Sequence, residues 1–346
     1  MSRISMRFDL RVPPFAKTSF SDQHRAMLEM VSWAERIGAG DILLSEHHGD
    51  PAGFTSAPLT LAAAVLARTE RVRVSIAAAL VPLHDPIRLA EQIATIDCLA
   101  PGRLSLVLGA GYRRAEFEMA GIERRERGKL LEECVAVFRS AWKGEPFEWR
   151  GREVLVTPTP SSPEGPEIFA GGKTVASAHR AARLRCKFSP AVTDLEVIAA
   201  YFDECERIGF DGADALGCAS VEEYRRRFGS FSPVARGFVM VSTDPDTTWE
   251  RIGRYAEYDA LTYAAWQEDG VVSDWAVPEA QSWEELRDSG RYCVVTPEEC
   301  LEIAAEDGHI MLHPLMGGIE PGPAWESLRL FEAEVLPRLD LESVAS

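Results

Sequence analysis

Strand-like and helix-like stretches alternate along the chain, and that rhythm leaves few ways to bury its apolar surface. Ile4 to Arg11 reads as a strand. Asp22 to Ile37 follows as a helix carrying Met27, Met30, Val31, Ala34 and Ile37, with Gly38 and Gly40 at its end. Asp41 to Glu46 is the next strand, and Pro58 to Arg68 is a helix with proline in its first turn. Arg71 to Leu80 is β-branched and then alanine-rich, and Pro86 to Leu99 is helical again. Arg103 to Leu108, Glu167 to Ala170, Cys186 to Ser189, Gly237 to Ser242 and His309 to Leu312 continue the strand series. Arg125 to Lys143, Val175 to Arg183 and Ala324 to Leu336 read as helices. Repeated strand-then-helix units predict parallel strands with helices outside them, and about eight such strands make a (β/α)8 TIM barrel in the α/β class. No Gly-x-Gly-x-x-Gly follows the first strand, so the mark of a dinucleotide-binding half is missing. Glu145 to Pro160 reads as a hairpin about Arg150-Gly151 outside the barrel, and residues 268–291, with Trp275 and Trp283, as an insertion. No linker or composition shift divides the 346 residues, so a single domain is expected.

Composition narrows the function classes. With 54 acidic against 37 basic residues the net charge is −17, which disfavours a phosphate backbone or an anionic membrane surface as partner. Apolar runs such as Leu59 to Ala67 are too short to span a bilayer, and MSRISMRFDLRVPPF has no signal-peptide core. The 7 cysteines form no Cys-x-x-Cys pair, which disfavours a zinc ribbon, a thioredoxin-type motif or a disulfide framework. Reduced thiols in a cytoplasmic, small-molecule enzyme are the expectation.

In a parallel barrel, functional groups gather just past the carboxyl ends of the strands. That rule selects Glu46, His47 and His48; Ala77 and Ala78, with His84 beyond; Gly109, Gly111 and Tyr112; and Gly171, Gly172, Lys173 and Thr174. Adjacent histidines at a strand end point to proton transfer, because imidazole titrates near neutrality. Equally, one of them has Glu46 as a hydrogen-bonding neighbour, and strand alternation sends the two rings to different sides. No third ligand follows at helical spacing, so no metal is expected there. Gly171-Gly172-Lys173-Thr174 opens a helix, where free backbone N–H groups and a lysine favour a phosphate; an ordinary turn is the plainer account. Ala77 and Ala78 leave room for a flat ring, or simply pack. Phe8, His48 and His313 are candidates for a substrate pocket. Cys98, Cys134, Cys205 and Cys300 read as core fillers, and Arg124 to Lys129 as a solvated helix start.

The run Ser45-Glu46-His47-His48, the stretch from Ala67 to Tyr112, the segment around Trp142, Gly171-Gly172-Lys173 and the closing SLRLFEAEVLPRL together resemble the luciferase-like flavin-dependent monooxygenases. The similarity is dense over residues 5 to about 190 and returns near 292 to 338, and the stretch between matches in outline only. The resemblance implies a TIM barrel with an insertion, commonly a homodimer, that binds reduced FMN or the deazaflavin coenzyme F-420 at the strand carboxyl ends. It implies His47 as catalytic base or acid, a non-proline cis peptide at Ala77-Ala78 beneath the ring, and Gly171-Gly172 beside the flavin phosphate. Many relatives carry a phosphate-gripping arginine where this chain has Ala110. Lys173, Arg113 or Arg114 replaces that charge, backbone donors hold the phosphate, or the cofactor is not FMN. Three functions stay open. The first is a monooxygenase using O2, an organic substrate and reduced flavin from a separate reductase. The others are a deazaflavin-dependent hydride-transfer enzyme and a non-catalytic flavin-binding protein.

Overall fold

The structure, a computed structural model, describes residues 3–162, 164–191, 194–228, 236–267 and 282–340. Its strands are β1 (Arg3–Phe8), β2 (Asp41–Leu44), β3 (Arg73–Ala79), β4 (Leu104–Leu108), β5 (Phe147–Trp149), β6 (Arg152–Val154), β7 (Glu167–Gly172), β8 (Lys187–Pro190), β9 (Phe238–Val241), β10 (Tyr292–Val295) and β11 (His309–Leu312). The helices are α1 (Phe20–Arg36), α2 (Pro58–Arg68), α3 (Pro86–Leu99), α4 (Arg114–Ala120), α5 (Arg127–Ala141), α6 (Val175–Arg183), α7 (Leu195–Ile208), α8 (Val221–Phe228), α9 (Pro245–Ala265), α10 (Trp283–Asp288), α11 (Pro297–Asp307) and α12 (Pro321–Leu330).

Nine strands form one sheet in the order β10-β9-β11-β1-β2-β3-β4-β7-β8, and every pairing in it is parallel. This is the barrel-like α/β architecture expected, with one strand more. The extra strand is β10, a four-residue YCVV run that pairs with β9 on the side away from β11. Among the described residues no ladder joins β10 to β8; Phe188 of β8 pairs instead with Ala215. β5 and β6 make the separate antiparallel hairpin about Arg150-Gly151. Of the expected insertion, residues 268–281, with Trp275, lie outside the described residues. The remainder holds α10, whose Trp283 stacks on Trp249 of α9 at 5.9 Å between centroids. The last helix stops at Leu330 and continues as a π turn over Phe331–Val335. Among the described residues no helix is long and apolar enough to cross a membrane.

Alternation along β1, β3 and β4 separates two environments. In β1, Ile4, Met6 and Phe8 are buried in the hydrophobic core, while Arg3, Ser5 and Arg7 line the internal cavity. In β3 the same division puts Val74 and Ile76 outside and Arg73, Ser75 and Ala77 inside. In β4, Leu104, Leu106 and Leu108 face the core and Ser105 and Val107 face the cavity. The apolar face carries the stabilisation, at about 1.5–3 kcal/mol for each fully buried aliphatic side chain. The inner face mixes polar groups such as Ser5, Arg7 and Ser75 with apolar ones such as Leu43, Val107 and Phe169 and encloses space, unlike the layered side-chain packing typical of a TIM barrel.

Candidate active site

The cavity has a volume of about 1210 Å3 and runs along the inner face of the sheet to the loops beyond the strand carboxyl ends. It brings together His47, Ala77, Ala78, Gly109, Gly111, Tyr112, Gly171, Gly172, Lys173 and Thr174, which the sequence places far apart.

His47 follows β2 and is buried. Its Nδ1 lies 3.0 Å from Oε1 of Glu116, a residue of α4. A carboxylate oxygen accepts, so Nδ1 carries the proton and Nε2 keeps its lone pair. The same Oε1 accepts from the His48 N–H at 3.0 Å and from Nη1 of Arg113 at 3.2 Å. Burial pushes the His47 imidazole below its usual range, and the hydrogen bond to Glu116 opposes that shift. At neutral pH the ring is therefore an uncharged proton acceptor. Phe54 stands edge-on to it and Trp266 lies tilted against it, each with ring centroids 4.8 Å away. Arg113 in turn covers the Trp266 ring, its guanidinium carbon 3.7 Å from the centroid. These rings keep water from the histidine. Tyr263 of α9 adds a further wall, and its hydroxyl accepts from Nη2 of Arg7 at 3.1 Å.

Glu116 is the residue that sequence reasoning missed. Its helix spans only seven residues, too few for a readable period, and ends at Gly121 in the left-handed region, φ 68°. The available signal was the Arg113-x-x-Glu116 spacing just past a strand's carboxyl end, which pairs opposite charges on one helical turn.

The opposite wall is built from small residues. The peptide between Ala77 and Ala78 is cis. A Cβ added to Gly109 would come within 2.9 Å of the Ala78 Cβ, and one on Gly171 within 2.9 Å of Val107 Cγ1. A Cβ on Gly172 would collide with the Ser177 side chain. Beyond Gly172 the chain enters α6 through a reciprocal cap: the Thr174 side chain accepts from the Ser177 N–H, and Ser177 Oγ accepts from the Thr174 N–H. Arg127 and Arg180 line the cavity beside this helix start, together with Lys173 and Ser177. Arg180 lies directly over Gly128, where an added Cβ would come within 2.5 Å of its Nη2. The basic run read as a solvated helix start thus sends one arginine into the cavity, and Arg124 donates from Nε to the Tyr112 carbonyl at 3.0 Å. Lys173 donates to Gln267 at 3.4 Å.

The other candidates lie elsewhere. Phe8 belongs to the core face of β1 and does not line the cavity. His48 turns away from His47 and sits 3.0 Å from Oε1 of Glu46. His313 is buried 3.9 Å from Asp9, off the cavity, whereas His309 lines it besides His47, hydrogen-bonded to Ser5 at the strand amino ends. Arg113 is committed to Glu116 and the His48 carbonyl, and Arg114 does not line the cavity. Of the cysteines, all reduced, Cys98 is exposed and the other six are buried.

A buried histidine, a small-residue wall and a capped helix start thus meet on one cavity just past the strand carboxyl ends, where functional groups gather on barrel-like parallel sheets. The chain belongs to the luciferase-like monooxygenase family, whose sequence profile matches residues 6–302. It is similar to an FMNH2-dependent dimethylsulfone monooxygenase of Pseudomonas fluorescens, at 33% identity over 45% of this chain and 44% of that one. The fold is shared with the oxygenating constituent of 3,6-diketocamphane monooxygenase of Pseudomonas putida, solved with FMN (TM-score 0.68, 18% identity, 99% of this chain and 100% of that chain). It is also shared with an F420-dependent secondary alcohol dehydrogenase (TM-score 0.59, 16% identity, 93% of this chain and 98% of that chain). The chain spans less than half the length of the curated relatives it matches.

Proposed function

We propose that the protein is the oxygenating component of a two-component monooxygenase, taking reduced FMN from a separate flavin reductase and using O2 to oxygenate a small organic substrate. The observation that carries this reading is the His47–Glu116 pair, which presents a neutral Nε2 to the same cavity that the Ala77–Ala78 wall and the α6 cradle line. FMN fits the residues present. Gly109, Gly171 and Gly172 line the cavity without side chains, each so close to Ala78, Val107 or Ser177 that a Cβ would meet them, and Lys173, Arg127 and Arg180 beside the α6 start offer cations for a phosphate. On this reading Arg127 supplies the charge that Ala110 lacks, together with Arg180, whose Nε also donates to Glu132 at 3.0 Å. When bound and reduced, the flavin supplies O2 activation, with one oxygen atom going to the substrate and the other leaving as water. The chain's own tasks are to seat the ring on the small-residue wall, to exclude water with Phe54, Tyr263 and Trp266, and to accept or return a proton at His47 Nε2.

A second reading, deazaflavin-dependent hydride transfer, is favoured by Ala110 alone. Anaerobic titration with reduced FMN and with reduced deazaflavin, followed by admission of air, separates the two. Tight FMN binding and oxygen consumption coupled to substrate oxidation support the monooxygenase. Selective deazaflavin binding without oxygen consumption overturns it. Arg180→Met should weaken FMN binding by about 10-fold or more and leave riboflavin binding unchanged, as removal of a charge-assisted contact requires; equal weakening of both ligands rules out a phosphate role for Arg180.

A further inference from the structure

Spacing along the chain argues against a metal at the Glu46-His47-His48 run, because no third ligand follows on the same element. The fold supplies one from a different strand end. Glu46 and His48 follow β2, and His84 caps the 3-10 turn Val81–Leu83 that follows β3. Nε2 of His48 lies 3.0 Å, and Nε2 of His84 2.6 Å, from the same oxygen, Oε1 of Glu46. All three atoms fall within 4.8 Å of one another. Two imidazole nitrogens and a carboxylate oxygen are a donor set for zinc, and at bond lengths of about 2.0–2.1 Å the donors of a tetrahedral site stand about 3.3 Å apart. The two imidazole-to-carboxylate distances each have to lengthen by less than an ångström to reach that size.

The surroundings suit an ion. The Glu46 side chain is 1% exposed, whereas those of His48 and His84 are 17% and 33% exposed, so the carboxylate is fixed and the imidazoles border an entry path. Oε2 of Glu46 accepts the Leu80 N–H at 2.6 Å, the outer-shell contact that orients a metal-binding carboxylate.

We propose that Glu46, His48 and His84 form a zinc site with water in the fourth position, tying the loop after β2 to the loop after β3. Hydrated Zn2+ exchanges three waters for the carboxylate and for the Nε2 lone pairs of the two imidazoles, each bound as its Nδ1–H tautomer, and nothing is oxidised or reduced. The ion is a brace, because His47 turns the other way, towards Glu116. Through Glu46 and the Leu80 N–H it fixes the segment just past Ala77–Ala78.

The test uses untagged protein and needs no flavin, so its outcome is independent of the proposed oxygenation. Zinc retained after exhaustive dialysis is measured by elemental analysis, melting temperature with and without zinc by calorimetry, and geometry by the visible d–d bands of a cobalt-substituted sample. Wild type is expected to retain one zinc per chain, to melt higher with zinc and to show tetrahedral cobalt bands. His84→Ala is expected to lose all three. His84→Gln, which can still donate a hydrogen bond to Glu46 but is a poor zinc ligand, should lose them too while melting as the zinc-free wild type does. His24→Ala, at a half-buried histidine of α1, should keep them. Substoichiometric zinc in the wild type, or His84 variants that bind as the wild type does, would overturn the proposal.

Discussion

His47 is held by one hydrogen bond, and its chemistry depends on which nitrogen that bond occupies. Because Glu116 takes the Nδ1 proton, Nε2 is the atom free to exchange one. His47→Gln should lower turnover by about 100-fold or more, the usual contribution of a positioned base, while flavin affinity stays near wild type; single-turnover rates beside a flavin titration check both halves. Glu116→Gln keeps the shape and removes the charge that draws the imidazole pKa up, so the acid limb of the pH–rate profile should move to lower pH. An unmoved limb would show that Glu116 does not act through His47. At this scale the sequence was half legible. His47, Tyr112 and the glycines could be read because they stand just past strands, whereas Glu116, Arg127 and Arg180 enter the site from helices. The meeting of His84 with Glu46 likewise depends on two loops becoming neighbours, which no spacing encodes.

Three helices, α2, α3 and α6, were read at their true bounds. α2 and α3 begin at proline, and α6 begins after a threonine that caps it. α4 and β10, seven and four residues long, went unread because neither is long enough to show a period. The α6 cap matters twice, for the helix and for holding Thr174 and Ser177 on the cavity wall. Thr174→Val should cost about 1 kcal/mol of stability and also weaken FMN binding; a calorimetric scan and a ligand titration report the two separately. Gly109→Ala should weaken flavin binding more than it lowers the melting temperature, since its methyl group would meet Ala78 on the cavity wall. A variant that binds flavin as the wild type does would mean that this wall does not carry the ring.

Across the whole molecule, burial holds His47 and His313 below the usual imidazole range and brings His309 down to about 4. Above about pH 6.5 neither the folded nor the unfolded chain protonates these rings, so they leave stability unchanged there. Below it the unfolded chain takes up protons that the native fold refuses, and stability should fall as pH drops from about 6.5 towards 4. His309→Gln should flatten that slope in a series of melting curves. The division of β1, β3 and β4 into core-facing apolar residues and cavity-facing ones has a further consequence. Ile76→Ala should cost about 2–5 kcal/mol, while Ser75→Ala and Ser105→Ala, beside open space, should stay within about 0.5 kcal/mol of wild type. Mutational drift at the inward positions therefore goes almost unseen by selection for folding. A lineage built on this sheet can try new linings at alternate residues, and so new substrates, without first having to acquire a more stable scaffold.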